Sequence, residues 1–341
     1  MVANKIRSSI TQYCLSIGGD SLLVQGAGGN ISWKDRGTLW IKASGMWMAD
    51  VKRKNIFVPV DLLALNSAIK NGNFDVTPKL QIGTNLRPSI ETLLHALMPH
   101  KVVVHLHAVE ILSHLVKRDW QRQIEMRIPN FVGWVLVDYC KPGSDLARMV
   151  YAVTQGDTKI NIVFLRNHGV VIGGASIDEV DDVLGLLTSS FQSPPLTSPN
   201  FSASLLDLKT PELFPNYSLV PDLEVQQLAL NPNVFKFISS NWALFPDHVV
   251  FLGPKPNIFE TSDDFIKEMA LVRKLPELIF IRGVGVYALS GFNLAKITQL
   301  RCYWDVISRQ LMGEDLNVLS NRDIADLMNW DAEQYRINMA Q

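Results

Sequence analysis

Two histidines two residues apart, His105 and His107, close a short β-branched run at 101–106, and they constrain this chain more than any other feature. On a strand, side chains at i and i+2 leave the same face. Both imidazoles then point to one side of a sheet, where the two can chelate one divalent ion. A His-x-His pair alone is a weak signal. It gains weight from Asn167-His168-Gly169, which ends a second apolar run at 161–165. Three imidazoles with an open fourth position are the ligand set of catalytic rather than structural zinc.

Upstream of the pair, RPSIETLLHALMP (87–99) reads as a turn and a helix. Ser89 is expected to cap a helix over 90–98, with Glu91 in its first turn, where the positive helix end favours a carboxylate. Pro99 stops that helix and returns the chain to the strand. Further upstream, 22–25 reads as a strand and GAGGN (26–30) as a tight turn whose N–H groups can face an anion. Strand-like runs at 31–34 and 38–42 follow, joined by Asp35-Arg36-Gly37, and Ala43-Ser44-Gly45 makes a second small-residue turn. A hairpin rather than a helix follows GAGGN, so this is no dinucleotide fingerprint, and no Gly-Lys-Ser/Thr follows to make a phosphate loop.

In combination these segments are specific. GGNIS, KASG, RPSIE, then HLH fourteen residues past Glu91, then NHG, in that order, resemble the class II aldolase/adducin superfamily over about residues 5 to 185. LWIKASG, SIETLLHALMP and LFPDHVVFLGPKP are most similar to the aldolase part of bifunctional rhamnulose-phosphate aldolase/alcohol dehydrogenases. The appended dehydrogenase domain is not among these residues, so no dehydrogenase activity is expected. The resemblance implies a layered α/β fold around a mainly antiparallel sheet. It implies Zn²⁺ on His105, His107 and His168, with Mn, Fe and Co as alternatives, and Glu91 as catalytic acid/base. It implies a sugar-phosphate substrate whose phosphate is bound by Gly29, Asn30, Ser44, Gly45 and Ser89. One departure weakens that last site: the fuculose-phosphate enzyme has two consecutive serines before its Glu, where this chain has Ser89-Ile90. Arg87 and Lys42 are candidates to compensate.

The implied reaction is aldol cleavage of a ketose 1-phosphate to a dihydroxyacetone phosphate-like fragment and an aldehyde. Epimerisation or decarboxylation at the same site is the alternative, and a non-catalytic adducin-like assembly module the third reading. Retention of Glu91 and all three histidines speaks against the last. A second acid is needed at the aldehyde oxygen. In relatives it is a Tyr, often from a neighbouring subunit; here Tyr139 and Tyr335 are the candidates, and a homo-oligomer is expected, a tetramer favoured.

Other signals are plainer. His95, four residues after Glu91, shares its helix face and reads as a packed structural His or as one that orients the carboxylate. His100 and His114 read as surface or structural. A strand, turn and helix are expected over 137–150 with Ser144 as cap, and Ser176 opens a helix to about 189. The Ser/Pro/Thr-rich stretch from 189 divides a metal-binding domain (1–188) and a linker (189–222) from a smaller α/β C-terminal region (223–341), which is open to covering the site or altering the assembly. That region reads as helices at 223–230, 233–242, 262–274, 294–312 and 321–330, and strands at 248–252, 277–281 and 284–289. His248, beside Asp247, falls at the start of the first of these strands. With 32 basic and 33 acidic residues the net charge is −1, which gives no electrostatic case for nucleic-acid or membrane binding. Cys14, Cys140 and Cys302 are far apart and read as reduced thiols of a cytoplasmic protein. No secretion signal or membrane span is expected.

Overall fold

The computed structural model describes residues 2–129, 132–155, 157–196, 216–311 and 313–339. Seven strands form the main sheet: β1 Asn30–Asp35, β2 Thr38–Lys42, β3 Phe57–Asp61, β4 Val102–Leu106, β5 Trp134–Val137, β6 Ile162–Leu165 and β7 Gly169–Gly174. Their order is β3-β2-β1-β4-β7-β6-β5, and every neighbouring pair is antiparallel except β5 with β6. β4 is central and wholly buried, and every one of its residues but His105 is apolar. Val102, Val104 and Leu106 enter the main core, while Val103 joins a second cluster with Leu94, Met98, Val163 and Val171 on the other face. Burying each such side chain contributes about 1.5–3 kcal/mol. The alternation puts His105 on the Val103 face.

A smaller sheet follows, β8 Tyr217–Leu219, β9 Ile258–Phe259, β10 Leu278–Ile281 and β11 Gly285–Leu289, in the order β8-β11-β10-β9. The helices around it do not stand apart. Phe235, Ile238, Val249, Leu300, Tyr303 and Leu316 share one continuous buried cluster with the main sheet. Arg309–Glu110 (2.9 Å) and Lys117–Glu314 (3.0 Å) tie the two regions further. Of the expected linker 189–222, residues 197–215 lie outside the described residues, as does Met312 at the expected end of the 294–312 helix. Among the described residues no helix is long and apolar enough to cross a membrane.

Several expectations are corrected. Residues 22–25 form turns, not a strand, with Leu23 and Val24 N–H both donating to Asp20 O. Gly143, not Ser144, takes the N-cap of Ser144–Thr154, and the helix expected over 262–274 is Ser262–Met269, capped by the Thr261 side chain. Of the two readings of His114, surface or structural, the structural one holds: it is buried and bonded to Gln123, Phe191 O and Ser193. The largest correction is at 248–252: Pro246–Leu252 is a helix with Pro at its first position. The β-branched HVVF run suggested a strand, but Pro pre-set at N1 starts a helix, and burial on all sides accounts for the apolar run.

On that helix His248 is sealed between Trp242 and Tyr303, with ring centroids 4.3 and 4.4 Å away, and neither ring nitrogen has a hydrogen-bond partner among the described residues. Burial lowers its pKa from 6.5 to about 3. The unfolded chain therefore takes up this proton first, so stability is complete above pH 6.5 and is lost as pH falls towards about 3. We expect His248→Phe to move acid unfolding, followed by circular dichroism, to lower pH. An unchanged or higher midpoint would contradict this origin of acid lability.

Candidate metal centre

The three histidines meet at one end of the main sheet. His105 lies in β4, where Asn30 of β1 is its direct cross-strand partner and Val171 of β7 its other neighbour. His107 follows two residues on, just past the strand. His168 sits in the tight turn between β6 and β7, after Asn167 at φ 53°. The next residue must be Gly: a Cβ on Gly169 would lie 2.3 Å from Leu106 O and 3.2 Å from the His107 ring. That close approach brings His168 against the other two, and one nitrogen from each ring lies within 4.8 Å of the others. All three rings are buried.

The donor set fits a cation. His105 Nδ1 donates to Val170 O at 3.1 Å, which leaves its Nε2 as a lone pair, and that Nε2 faces His107 Nε2 at 3.1 Å. Two lone pairs aimed at each other in a buried pocket repel unless a proton or metal ion lies between them. Burial lowers the His105 pKa to about 4 and the His168 pKa to about 3, so both are neutral at pH 7 and ready to coordinate. His95, bonded through Nδ1 to Ser32 Oγ at 2.8 Å, is a buried structural residue below this layer, its pKa lowered by burial to about 3.

Glu91 completes the cluster, but not from a first helical turn. The helix is Thr92–Leu97, and Glu91 is its N-cap residue with no side-chain capping bond. Ser89 Oγ accepts from Glu91 N–H at 3.2 Å in a preceding turn, so Ser89 shapes that turn instead of capping the helix. The Glu91 carboxylate is thereby free to face the histidines, with Oε2 3.5 Å from His105 Nε2 and Oε1 3.6 Å from His168 Nε2. Asn30 Nδ2 donates to Oε2 at 2.8 Å, and Oε1 has no hydrogen-bond partner among the described residues. Burial opposes its charge, yet His105, His168 and the Asn30 amide hold its pKa down at about 2.

Gly29, Asn30, Ser44, Gly45 and Ser89 all line one cavity with Glu91, His107 and His168. Lys42 lines it too, donating to Met46 O at 2.7 Å and Ala27 O at 3.0 Å, with its pKa lowered by burial to about 7. Arg87 turns away and stacks on Tyr335 at 4.4 Å. Neither Tyr139 nor Tyr335 is among the cavity's lining residues.

Residues far along the chain close the site, and the sequence reading missed them. Pro246, Asp247 and Arg336 line the same cavity, which is narrow, at about 30 Å³. Asp247 Oδ2 is 3.4 Å from His107 Nδ1, and its Oδ1 is 2.8 Å from Arg336 Nη1. Arg336 also meets Glu333 at 2.9 Å on the helix Asp331–Met339. Burial works against the Asp247 charge, but Arg336 and His107 hold its pKa well below the usual carboxylate range. Asn167 Nδ2 donates to Leu244 O at 2.7 Å and Asn317 O at 2.6 Å, which pins the His168 turn to the C-terminal region. The local signal available was Phe245-Pro246-Asp247, a helix start; nothing near Arg336 in sequence marks it.

With this geometry in place, the comparisons with known proteins are specific. A family model described as the class II aldolase and adducin N-terminal domain matches residues 8–192. A curated relative, the uncharacterized oxidoreductase YuxG of Bacillus subtilis (strain 168), is 31% identical over 174 residues, 46% of this chain and 25% of the relative. The match thus spans about a quarter of that relative's length. Among solved structures, the N-terminal class II aldolase domain of a conserved Thermoplasma acidophilum protein is 26% identical, with 54% of this chain and 90% of that chain covered at a TM-score of 0.46. A sugar-phosphate aldolase from Thermotoga maritima is 18% identical, covering 55% and 93% at 0.42. The L-fuculose-1-phosphate aldolase of Thermus thermophilus is 16% identical, covering 55% and 93% at 0.39.

Proposed function

Because the chain belongs to the class II aldolase and adducin family, we propose that it is a metal-dependent carbon–carbon lyase. It cleaves a ketose 1-phosphate to a dihydroxyacetone phosphate-like fragment and an aldehyde. The observation that carries this reading is the convergence of His105, His107 and His168 beside the Glu91 carboxylate. The three imidazoles hold a divalent ion, and their donor type favours zinc. When bound, the ion supplies a Lewis acid for the ketose carbonyl oxygen and its neighbouring hydroxyl. In the reverse direction the ionised Glu91 takes the proton from the carbon that becomes the nucleophile. In cleavage it returns a proton, first taken up from water, to the carbon left electron-rich, while the proton of the cleaved hydroxyl leaves through the second acid that the reaction needs at the aldehyde oxygen. Asn30 keeps that carboxylate aimed at the centre.

The turns at Gly29-Asn30 and Ser44-Gly45, with Ser89, bind the substrate phosphate, and Lys42 adds a positive charge there. We also propose a domain boundary between 188 and 223 and assembly as a homo-oligomer, with a tetramer favoured. A decisive experiment follows ketose 1-phosphates incubated with the metal-loaded protein by NMR. Stoichiometric aldehyde is the expected product. An epimer, or carbon dioxide, without aldehyde would assign the site to epimerisation or decarboxylation and overturn the lyase reading.

A further inference from the structure

The residue that meets His107 from outside the matched region is Asp247. We propose that Asp247 is a positioning residue of the metal centre: it accepts a hydrogen bond from the Nδ1–H of His107, commits Nε2 to the metal, and is itself held in place by Arg336. The inference rests on the metal reading above. Three observations carry it. First, the two halves of the arrangement are chemically matched. His105 gives its Nδ1 proton to a carbonyl, Val170 O at 3.1 Å, and the only partner set against His107 Nδ1 among the described ion pairs is Asp247 Oδ2 at 3.4 Å. Metal-bound histidines almost always give the second ring N–H to a carbonyl or carboxylate, which fixes the tautomer and the ring's direction.

Second, Asp247 is built for this place. It is buried on the helix Pro246–Leu252 and takes Arg336 at 2.8 Å on one oxygen and the Gln299 amide at 3.4 Å on the other. A carboxylate held from two sides cannot swing away from the imidazole. Third, the chain makes room for the pair. A Cβ on Gly28 would lie 2.9 Å from Asp247 Oδ2 and 3.1 Å from His107 Nδ1. Gly28, a glycine of GAGGN to which the phosphate reading gives no role, is the gap through which the two side chains meet. The C-terminal region is thus part of the metal centre, and the Asn167 clamp on the His168 turn points the same way.

The test is competition between a chromophoric chelator and the protein for Co²⁺, with the visible spectrum of the cobalt protein as second readout. Loss of an outer partner of this kind typically weakens metal binding by about 10–100-fold. Asp247→Asn is expected to show a loss in that range with a shifted cobalt spectrum. Gly28→Ala leaves both partners in place and pushes them apart, so it should show a smaller loss in the same direction. It also serves if Asp247→Asn does not fold. If Asp247 only neutralises Arg336, Asp247→Asn lowers the melting temperature of the metal-free protein and leaves cobalt affinity and spectrum unchanged, which overturns the proposal. Wild-type affinity in folded Gly28→Ala overturns it as well. A wild-type protein with no cobalt site would instead bring down the metal reading and this proposal together.

Discussion

Replacing His107 with Ala is expected to leave a folded protein that has lost its metal. His107 is one of three buried imidazoles whose nitrogens lie within 4.8 Å of one another. Losing an outer partner already costs about 10–100-fold in affinity, and losing the ligand itself must cost more than that. The side chain lies at the cavity wall, past the end of β4, so truncation removes little from the apolar core. It does leave Asp247 without its imidazole, but Arg336 and Gln299 remain on that carboxylate. Elemental analysis of the purified variant should find most of the metal gone, while circular dichroism stays like the wild type. Full occupancy would mean that His107 is not a ligand.

Glu91→Gln should keep the metal site and lose proton transfer. Gln preserves the shape, and its amide oxygen can still accept from Asn30 Nδ2, now 2.8 Å from the carboxylate. What disappears is the base. With the carboxyl pKa held down at about 2, Glu91 is ionised at neutral pH and able to receive a proton. A positioned acid/base is typically worth about 10²–10⁴ in rate. The bland alternative is that Glu91 serves only the helix that starts at Thr92. That account is weak here, because the carboxylate makes no capping bond and faces the histidines instead. Deuterium exchange at the nucleophilic carbon of a bound dihydroxyacetone phosphate-like ketone separates the two. The variant is expected to exchange about 10²–10⁴ more slowly, and wild-type exchange would end the catalytic role for Glu91.

Much of the site is legible in the chain because its parts obey local rules. His105 and His107 share a face by strand periodicity, and β4 and β6 announce themselves as apolar runs. Gly169 follows His168 because no side chain fits beside Leu106 O. Gly29, Asn30, Ser44, Gly45 and Ser89, from three separate turns, line a single cavity. What local rules do not reach is what comes from elsewhere. Glu91 is displaced from a helical turn to an N-cap by a turn that Ser89 closes, a competition between two hydrogen-bonding patterns open to the same few residues. The stretch 248–252 is β-branched enough to read as a strand, and that misreading hides Asp247, which sits on the same helix one residue before His248. Arg336 reaches the centre from a helix more than two hundred residues after His107, and no spacing in the sequence records that contact.

The central claim, a three-histidine metal ion that drives carbon–carbon cleavage, is tested most directly by titrating metal back into chelator-treated protein. Bound zinc and aldehyde released from a cleavable ketose 1-phosphate are measured on each sample. The account predicts that cleavage is absent without metal and rises in proportion to occupancy, levelling off at about one ion per chain, as a single three-histidine site requires. Cleavage that persists at full strength in the metal-free protein, or one bound ion per chain with no cleavage of any ketose 1-phosphate, would contradict it.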